Sequence, residues 1–161
     1  MSNVRAHTKR LTTMNIADYE PTQARELVEM WRASFERGVG VKDPNPIEAQ
    51  LNFFLEEVVP NNKVRVALVG SSVGAFMAST PESIAHLYVR VENIGQGVGG
   101  TLLALAKAES GGRLWLHTFA QNGNARRFYE RHGFTEVERE SENMWKLEAI
   151  KYQWVKSKRA P

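Results

Sequence analysis

The stretch Gly95-Gln96-Gly97-Val98-Gly99-Gly100 decides the fold. It follows a β-rich segment and leads directly into Thr101–Glu109, whose leucines and alanines are typical of a helix. A glycine turn between a strand and a helix exposes successive backbone N–H groups, and the helix dipole adds positive potential at that end. We therefore expect a site for a phosphate-bearing ligand at this turn, rather than a flexible connector.

Two common nucleotide-binding motifs do not account for this turn. Gly95, Gly97 and Gly100 satisfy the G-x-G-x-x-G pattern of dinucleotide-binding folds. That fold needs an acidic residue about 20 positions further on to hold a ribose hydroxyl, and none occurs between Ser110 and Tyr129. No Gly-Lys-Ser/Thr follows, as a nucleoside-triphosphate loop would require. A nicotinamide dinucleotide and a nucleoside triphosphate are both disfavoured.

Hydrophobic periodicity around the turn predicts elements in the order β-α-α-β-β-β-α-β-α-β-β. The strand–helix–strand around the turn implies a parallel pair, while the hairpins imply antiparallel neighbours. We expect an α/β fold (α+β, with a mixed sheet), mostly antiparallel, flanked by helices and splayed at the central parallel pair, where a ligand can enter. The predicted strands are Leu11–Ile16, 63–68, Val73–Ala78, Ile84–Val91, Leu114–Phe119, Phe134–Glu138 and Met144–Val155; the predicted helices begin at Pro21 and Ile47 and cover Thr101–Glu109 and Ala125–His132.

Size and composition favour one small enzyme domain. The 161 residues are expected to form a single domain, with residues 1–10 as a flexible N-terminal segment. The absence of cysteine excludes a disulfide, a thiol nucleophile and a thiolate metal site, and we expect no metal. No apolar run approaches the roughly 20 residues of a membrane span, and neither a membrane nor a nucleic acid is an expected partner, since the net charge is only +3. A cytoplasmic location is expected.

Two segments resemble the GNAT superfamily of N-acetyltransferases. Residues 87–103 (LYVRVENIGQGVGGTLL) are similar to the coenzyme A-binding segment of that family, whose Q/R-x-x-G-x-G/A turn grips the pyrophosphate. Residues 122–134 (NGNARRFYERHGF) resemble its N-x-x-A-x-x-F/L-Y-E-x-x-G-F helix. Both segments occur in the expected order and spacing, and the predicted topology agrees over nearly the whole chain. Ile94 stands where the family usually has Gln or Arg, and Val91 where proline is common.

The resemblance implies an acetyl-CoA site built from both segments. The backbone around Val89 and Val91 is expected to pair with the pantetheine arm like an added strand. Gln96–Thr101 are expected to supply amides to the pyrophosphate. Asn122 is expected to hold the pantetheine, and Tyr129 to point its hydroxyl at the thioester sulfur.

Three arginines near Tyr129 are assigned different roles. Arg126 lies one turn before Tyr129 and is expected to reach a cofactor phosphate, whereas Arg127 and Arg131 are expected to form a solvated face. The predicted cofactor-binding residues are Val89, Val91, Gln96, Gly97, Val98, Gly99, Gly100, Thr101, Asn122, Arg126 and Tyr129.

Two residues are candidates for acid–base catalysis. A tyrosine hydroxyl has a reference pKa near 10, so Tyr129 holds its proton at neutral pH and can donate it to a thiolate. His86 is expected to share one face of its strand with Ile84 and Tyr88 and could act as a base. A structural role for His86, a weaker base at His117, Glu82 or Glu92 acting through water, and a water chain are alternatives.

The resemblance implies an acyl-CoA-dependent N-acetyltransferase that moves acetyl directly from acetyl-CoA to a primary amine. The acceptor is expected to be a small-molecule or peptide amine, and a homodimer is possible. Another acyl group or acceptor, and a non-catalytic module that binds acyl-CoA, remain as alternatives.

Overall fold

The computed structural model describes residues 13–141, 143 and 145–157. The predictions for residues 1–10, for the first two residues of the strand Leu11–Ile16 and for Met144 lie outside this range. Within it, two antiparallel sheets are flanked by helices, and the predicted mixed α/β architecture is confirmed. No helix of the described residues combines the length and the apolar character that crossing a membrane requires.

The first sheet has the strand order β1-β2-β3-β4. Every neighbouring pair is antiparallel, and β2 and β3 form the predicted hairpin around Gly70, whose φ is +64°. The first strand begins later and ends later than the sequence predicts. The four strands are β1 (Met14–Asp18), β2 (Lys63–Val69), β3 (Ser72–Ser79) and β4 (Ile84–Val89).

The second sheet has the order β5-β7-β6, again antiparallel, and contains the predicted final strand pair, but its last strand begins at Ala149 and not at Met144 as predicted. Only one parallel bridge, between Ser83 and Trp115, joins the two sheets in the described part of the chain. The predicted central parallel pair is therefore reduced to its first contact, and β4 and β5 part beyond it. The three strands are β5 (Arg113–Phe119), β6 (Thr135–Glu140) and β7 (Ala149–Val155).

The helices pack on opposite sides of the sheets. A 3-10 turn at Pro21–Gln23 leads into α1 (Ala24–Val39), and α2 (Ile47–Phe53) continues through a π-helical turn (Phe54–Val58) into the single turn α3 (Val59–Asn61). These helices bury their apolar faces against one side of β2–β4. On the other side lie α4 (Val98–Glu109) and α5 (Gly123–Arg131), whose core also includes inward residues of β5 and β7.

A β-bulge changes which residues of β4 share a face. The register shifts between Ala78 and Ser79, so that His86 pairs with Ala78 while Ile84 pairs with Ser79. His86 and Tyr88 share one face, as predicted, and both rings lie beside Trp31 of α1, but Ile84 is buried in the opposite core. The predicted common face of Ile84, His86 and Tyr88 is wrong for Ile84, because the bulge inserts one residue into the alternation.

Strand β4 ends two residues earlier than predicted. Arg90 donates its backbone N–H to Gly74 O (2.7 Å) and its Nε–H to Val73 O (2.9 Å), and its guanidinium lies 2.9 Å from the Glu26 carboxylate. These contacts turn the chain into a 3-10 turn at Val91–Asn93. Val91 therefore does not lie on an extended strand.

Candidate active site

A cavity of about 750 Å³ opens where β4 and β5 part. The C-terminal half of α1 lines it on one side, while the glycine turn, the start of α4 and α5 line it on the other. Since β4 pairs with β3 along one edge only and meets β5 in a single bridge, its other edge faces this opening. Of the predicted site residues, those lining the cavity are His86, Val89, Val91, Gly97, Gly99, Gly100, Asn122 and Tyr129.

The glycine turn has the backbone geometry that its sequence predicts. Gly95 and Gly97 both have φ +85°, a left-handed conformation that side-chain-bearing residues rarely adopt. Helix α4 starts immediately after Gly97, and its first intrahelical bond runs from Thr101 N–H to Gly97 O (3.1 Å). The three preceding N–H groups therefore have no acceptor within the helix and are donors for an anion.

Gly99 and Gly100 let other elements approach this helix closely. A Cβ atom at Gly99 would lie 3.2 Å from Val89 Cγ2 and 3.4 Å from Phe128 Cζ, and one at Gly100 would lie 3.5 Å from His132 Cε1. The first of these separations is tighter than ordinary side-chain packing. The turn and α4 thus form a cradle of backbone N–H groups that can receive an anion, and a side chain at Gly99 would crowd Val89 and Phe128.

Thr101 contributes less to the turn than predicted, and the side chains of Val98 and Gln96 are directed away from the cavity. Thr101 donates both its N–H (3.1 Å) and its hydroxyl (2.9 Å) to Gly97 O, so it offers no free amide to a ligand. The side chain of Val98 is buried in the core. The side-chain amide of Gln96 bonds locally to Glu92 O, at 3.5 Å. None of these three residues lines the cavity.

Caps at both ends fix the orientation of α5. Asn122 is the N-cap, and its Oδ1 accepts the Ala125 N–H at 3.1 Å. At the other end Gly133, with φ +90°, donates to Glu130 O (3.1 Å), while Phe134 N–H donates to Tyr129 O (3.0 Å). This pair of bonds is the Schellman motif, which a glycine directly after the predicted helix Ala125–His132 also indicates from the sequence.

Asn122 also borders α1. A Cβ at Gly38 would lie only 2.7 Å from Asn122 Nδ2, so glycine is needed here for close approach. The Oδ1 atom caps α5, which leaves the Nδ2 amide as the part of Asn122 that could meet a ligand.

The arginines of α5 are arranged differently from the prediction. Arg126 donates from Nε to Tyr152 Oη (3.2 Å) and from Nη1 to Ala120 O (3.4 Å), and it does not line the cavity. Arg127 and Arg131, predicted to form a solvated face, do line it. The guanidinium at Arg126 is held against β7, so its predicted contact with a cofactor phosphate is not supported by its position.

Tyr129 of α5 lines the cavity. Its side chain is 7% exposed, and its ring packs edge-on against Phe128 and Phe134. Burial, with a smaller contribution from the nearby Tyr88, raises the pKa of Tyr129 well above its usual value. The phenol is therefore neutral at physiological pH and holds a proton that it can donate.

His86 lies in an aromatic cluster. Its ring centroid is 4.7 Å from that of Trp31, and Phe76 and Tyr88 are also neighbours. Burial lowers the pKa of His86 to about 4. The imidazole is therefore neutral at pH 7 and can accept a proton, but it is a weaker base than an exposed histidine.

One cavity residue was not singled out from the sequence. His132 follows α5 and places its ring beside Gly100 and Phe128. Burial, together with the neighbouring charges of Lys107 and Arg131, lowers the pKa of His132. The hydrophobic periodicity of a short helix does not mark His132 as a site residue. Its position directly before the Gly133 cap is the sequence signal that could have identified it.

The side chains around the cavity are basic or neutral. Its described lining contains three arginines and three histidines and no aspartate or glutamate. Within the described ranges, no group of three or more His, Asp or Glu residues is placed to hold a metal ion.

A family match falls on the segment that builds this site. The family described as "Acetyltransferase (GNAT) domain" matches residues 58–136, from the end of the π-helical turn to β6. This matched segment contains both of the sequence segments that resemble the GNAT acetyltransferases, and the resemblance is thereby confirmed. No curated protein matches the chain.

Solved structures share this fold at low sequence identity. YjaB from Escherichia coli, in its apo form, is 19% identical, with a TM-score of 0.75 over 91% of this chain and 100% of that one. The PaiA N-acetyltransferase from Thermoplasma acidophilum, in complex with coenzyme A, is 16% identical, with a TM-score of 0.67 over 89% and 99%. YncA from Salmonella typhimurium, with its cofactor acetyl-CoA, is 15% identical, with a TM-score of 0.67 over 93% and 98%.

Proposed function

We propose that this protein is an N-acetyltransferase that moves an acetyl group from acetyl-CoA directly to an amine. The observation that carries the proposal is that one cavity contains both an anion cradle at the glycine turn and the buried hydroxyl of Tyr129. Two of the structurally similar proteins were determined with coenzyme A or acetyl-CoA, which supports the same cofactor here.

The cofactor is assigned to the side of the cavity formed by α4 and α5. The N–H groups of Val98, Gly99 and Gly100 would hold the pyrophosphate, and the glycine turn lets it approach the backbone. The pantetheine arm would run along the free edge of β4 at Val89, adding hydrogen bonds as an extra strand does. Asn122 Nδ2 would bind the same arm. Val91 would contact the arm from its 3-10 turn rather than pair with it.

The reaction needs a proton removed from one atom and supplied to another. The amine nitrogen forms a bond to the thioester carbonyl carbon, the C–S bond breaks, and the electron pair leaves on sulfur. Tyr129 would protonate the departing thiolate, and solvent would restore the phenol proton. The amine proton is released to a base or to water, so the products are the N-acetylated amine and the free thiol of coenzyme A.

His86 is the side chain best placed to accept the amine proton, directly or through water. It faces α1, on the side of β4 opposite the cofactor cradle, and it lines the cavity. Its lowered pKa keeps it unprotonated at neutral pH but also reduces its driving force for proton removal. We assign the acid to Tyr129 and treat His86 as the base to be tested.

The proposal is tested by measuring thiol release from acetyl-CoA in the presence of a panel of amines, with mass spectrometry of the products. Amine-dependent thiol release with formation of an N-acetylated product supports it. Tight binding of acetyl-CoA without turnover for any amine or alcohol would instead indicate a binding module, and O-acetylated products alone would indicate a different acceptor class.

A further inference from the structure

The α1 side of the cavity carries positive charge without a carboxylate to balance it. This side is lined by Ser34, Arg37 and Val39 from α1, with His86 from β4 and His117 from β5. No aspartate or glutamate is among the described residues that line the cavity. A cationic acceptor would need acidic side chains to replace its hydration, so this charge pattern disfavours polyamines and other polycations.

Three carboxylates of α1, the loop after it and β6 already have partners. Glu36 Oε2 accepts the N–H of Asp43 at 2.8 Å, and Asp43 lies 3.3 Å from Arg32. Glu140 lies 3.7 Å from Nε2 of His117. These contacts direct the first two carboxylates into the loop after α1 and the third toward the imidazole.

Arg37 is the unbalanced cation of this side. It lies in the last turn of α1, is exposed, and lines the cavity. Among the described residues it has neither an ion pair nor a side-chain hydrogen bond, whereas Arg25, Arg32, Arg65 and Arg90 all have acidic partners. A guanidinium that has no acidic partner can bind a carboxylate or a phosphonate of a ligand through two parallel hydrogen bonds.

The position of Arg37 separates it from the cofactor cradle. The glycine turn and α4 lie in the core layer opposite α1, and α5 contributes two other arginines, Arg127 and Arg131, to the cavity lining. Basic side chains on one side of the sheet would thus balance the charge of the cofactor phosphates. Arg37 lies on the other side, from which an acceptor would approach the thioester.

We infer that the acceptor is a small primary amine that also carries an anionic group, held by Arg37, with a carboxylate as in an amino acid or a phosphonate as in an aminoalkylphosphonate. This inference rests on the proposed function. The cavity of about 750 Å³ must hold both the pantetheine arm and the acceptor. This limited volume favours a small molecule over a folded protein as the acceptor.

The test compares acceptors that differ in one group only. Each amino acid and aminoalkylphosphonate of a panel is assayed beside its neutral amide or ester, and kcat/KM is measured at saturating acetyl-CoA. For at least one pair the anionic member should be preferred by about 10- to 100-fold, as expected for a hydrogen-bonded charge pair. Comparison of the amino acids with the aminoalkylphosphonates identifies which anion is recognised.

Substitutions assign this preference to Arg37. Arg37→Gln should bring the anionic-to-neutral ratio near one, Arg37→Glu should invert it, and Arg37→Lys should retain part of it. Arg113→Gln is the matched control, because Arg113 is exposed, lies outside the cavity lining and has no ion pair among the described residues. Calorimetry should give the same Kd for acetyl-CoA in all variants.

Three results would overturn the inference: no anionic amine is acetylated, neutral or cationic amines are preferred, or the preference survives Arg37→Glu. A loss of acetyl-CoA affinity in Arg37→Gln would show that Arg37 serves the cofactor instead, which also overturns it. Failure of the wild-type protein to bind acetyl-CoA would be a different result, since it removes the proposed function itself.

Discussion

Gly99 and Val89 approach each other so closely that a Cβ atom on Gly99 would lie 3.2 Å from Val89 Cγ2. This contact brings the first turn of α4 against the end of β4, which are the two elements assigned to the pyrophosphate and the pantetheine arm. The distance between cradle and strand is therefore set by the absence of a side chain at Gly99.

Substitution of Gly99 should weaken cofactor binding. In Gly99→Ala the new methyl group must displace Val89 or Phe128, and in Gly99→Val the displacement is larger, so the Kd for acetyl-CoA should rise in that order. Gly111→Ala is the control, because a Cβ there meets nothing within 4 Å. Calorimetry with circular dichroism checks both affinity and folding; equal affinities for the wild type and Gly99→Val would contradict the cradle.

Loss of the hydroxyl should lower kcat at Tyr129 and stability at the neighbouring Tyr152. Tyr129→Phe keeps the ring but removes the proposed acid, so kcat should fall by about 10²–10⁴-fold with little change in acetyl-CoA affinity or melting temperature. Tyr152, with its ring centroid 6.4 Å from that of Tyr129, donates its hydroxyl to Glu130 Oε2 (2.7 Å) and does not line the cavity.

Tyr152→Phe should therefore lower stability by about 1–2 kcal/mol, as expected for a lost hydrogen bond, and leave kcat unchanged. Rate measurements and thermal melts of both variants test this contrast. If Tyr129→Phe weakened cofactor binding at constant kcat, the hydroxyl would be a ligand of the cofactor and not the acid.

His86→Gln separates a side-chain base from a water chain. A base contributes about 10²–10⁴-fold in rate. The pKa of about 4 for His86 favours a loss of kcat below tenfold in His86→Gln, with proton removal by water.

The lowered pKa of His86 also makes stability depend on pH. Because the pKa of this imidazole is lower in the folded protein than in the unfolded chain, the unfolded chain binds the proton first. His86 therefore destabilises the fold as pH falls from about 6.5 toward 4. Kinetics and acid unfolding of His86→Gln check both parts, and a hundredfold loss of kcat at constant stability would identify His86 as the base.

Cofactor binding should be coupled to protonation of His132. The pKa of its imidazole is lowered in the free protein by burial and by Lys107 and Arg131, and no carboxylate lines the cavity to oppose them. Phosphate groups placed beside Gly100 should raise this pKa. Because the protonated form then binds more tightly, affinity should increase as pH falls through the pKa of the complex, by up to about tenfold per pH unit.

Proton NMR of the His132 ring, with and without acetyl-CoA, measures this shift directly, and calorimetry of His132→Gln should show a weaker pH dependence. An unchanged pKa in the complex would place the phosphates away from His132.

The ion pair between Arg65 and Glu109 should contribute to stability and to its pH dependence. Arg65 is 8% exposed and binds Glu109 through two bonds of 2.6 and 2.7 Å. The hydrogen bonds from Arg65 lower the pKa of Glu109, so this stability is present at neutral pH and is lost as pH falls through that lowered pKa. Because the Glu109 side chain is 43% exposed and solvent screens its charge, Glu109→Gln should destabilise the protein by only about 1 kcal/mol at pH 7.

Glu48→Gln is the control for this prediction. It removes an exposed pair with Arg25 of the same length, 2.6 Å, and should cause no measurable change. Denaturant unfolding of both variants tests the comparison; equal effects would mean that burial of Arg65 does not matter.

The features predicted well from the sequence are those fixed by neighbouring residues. The glycine turn and the Gly133 cap require positive φ locally, and both have it. The end of β4 could not be predicted in this way, because Arg90 turns the chain through bonds to Val73 and Glu26, which are 17 and 64 residues away.

The arginines of α5 show a second limit of sequence analysis. Consecutive residues of a helix point about 100° apart, so the sequence alone cannot decide whether Arg126 or Arg127 faces a ligand. Burial of Tyr129 against Phe134 and Tyr152 fixes the rotation of α5, and this rotation directs Arg126 toward β7 and Arg127 into the cavity.

The central claim is that the cavity at the glycine turn binds an acyl-coenzyme A. Isothermal titration calorimetry of the wild-type protein with acetyl-CoA, and with NAD as the comparison, tests it most directly. The account predicts saturable one-to-one binding of acetyl-CoA that raises the melting temperature, and no binding of NAD. Equal binding of the two ligands, or no binding of any coenzyme A compound, would contradict it.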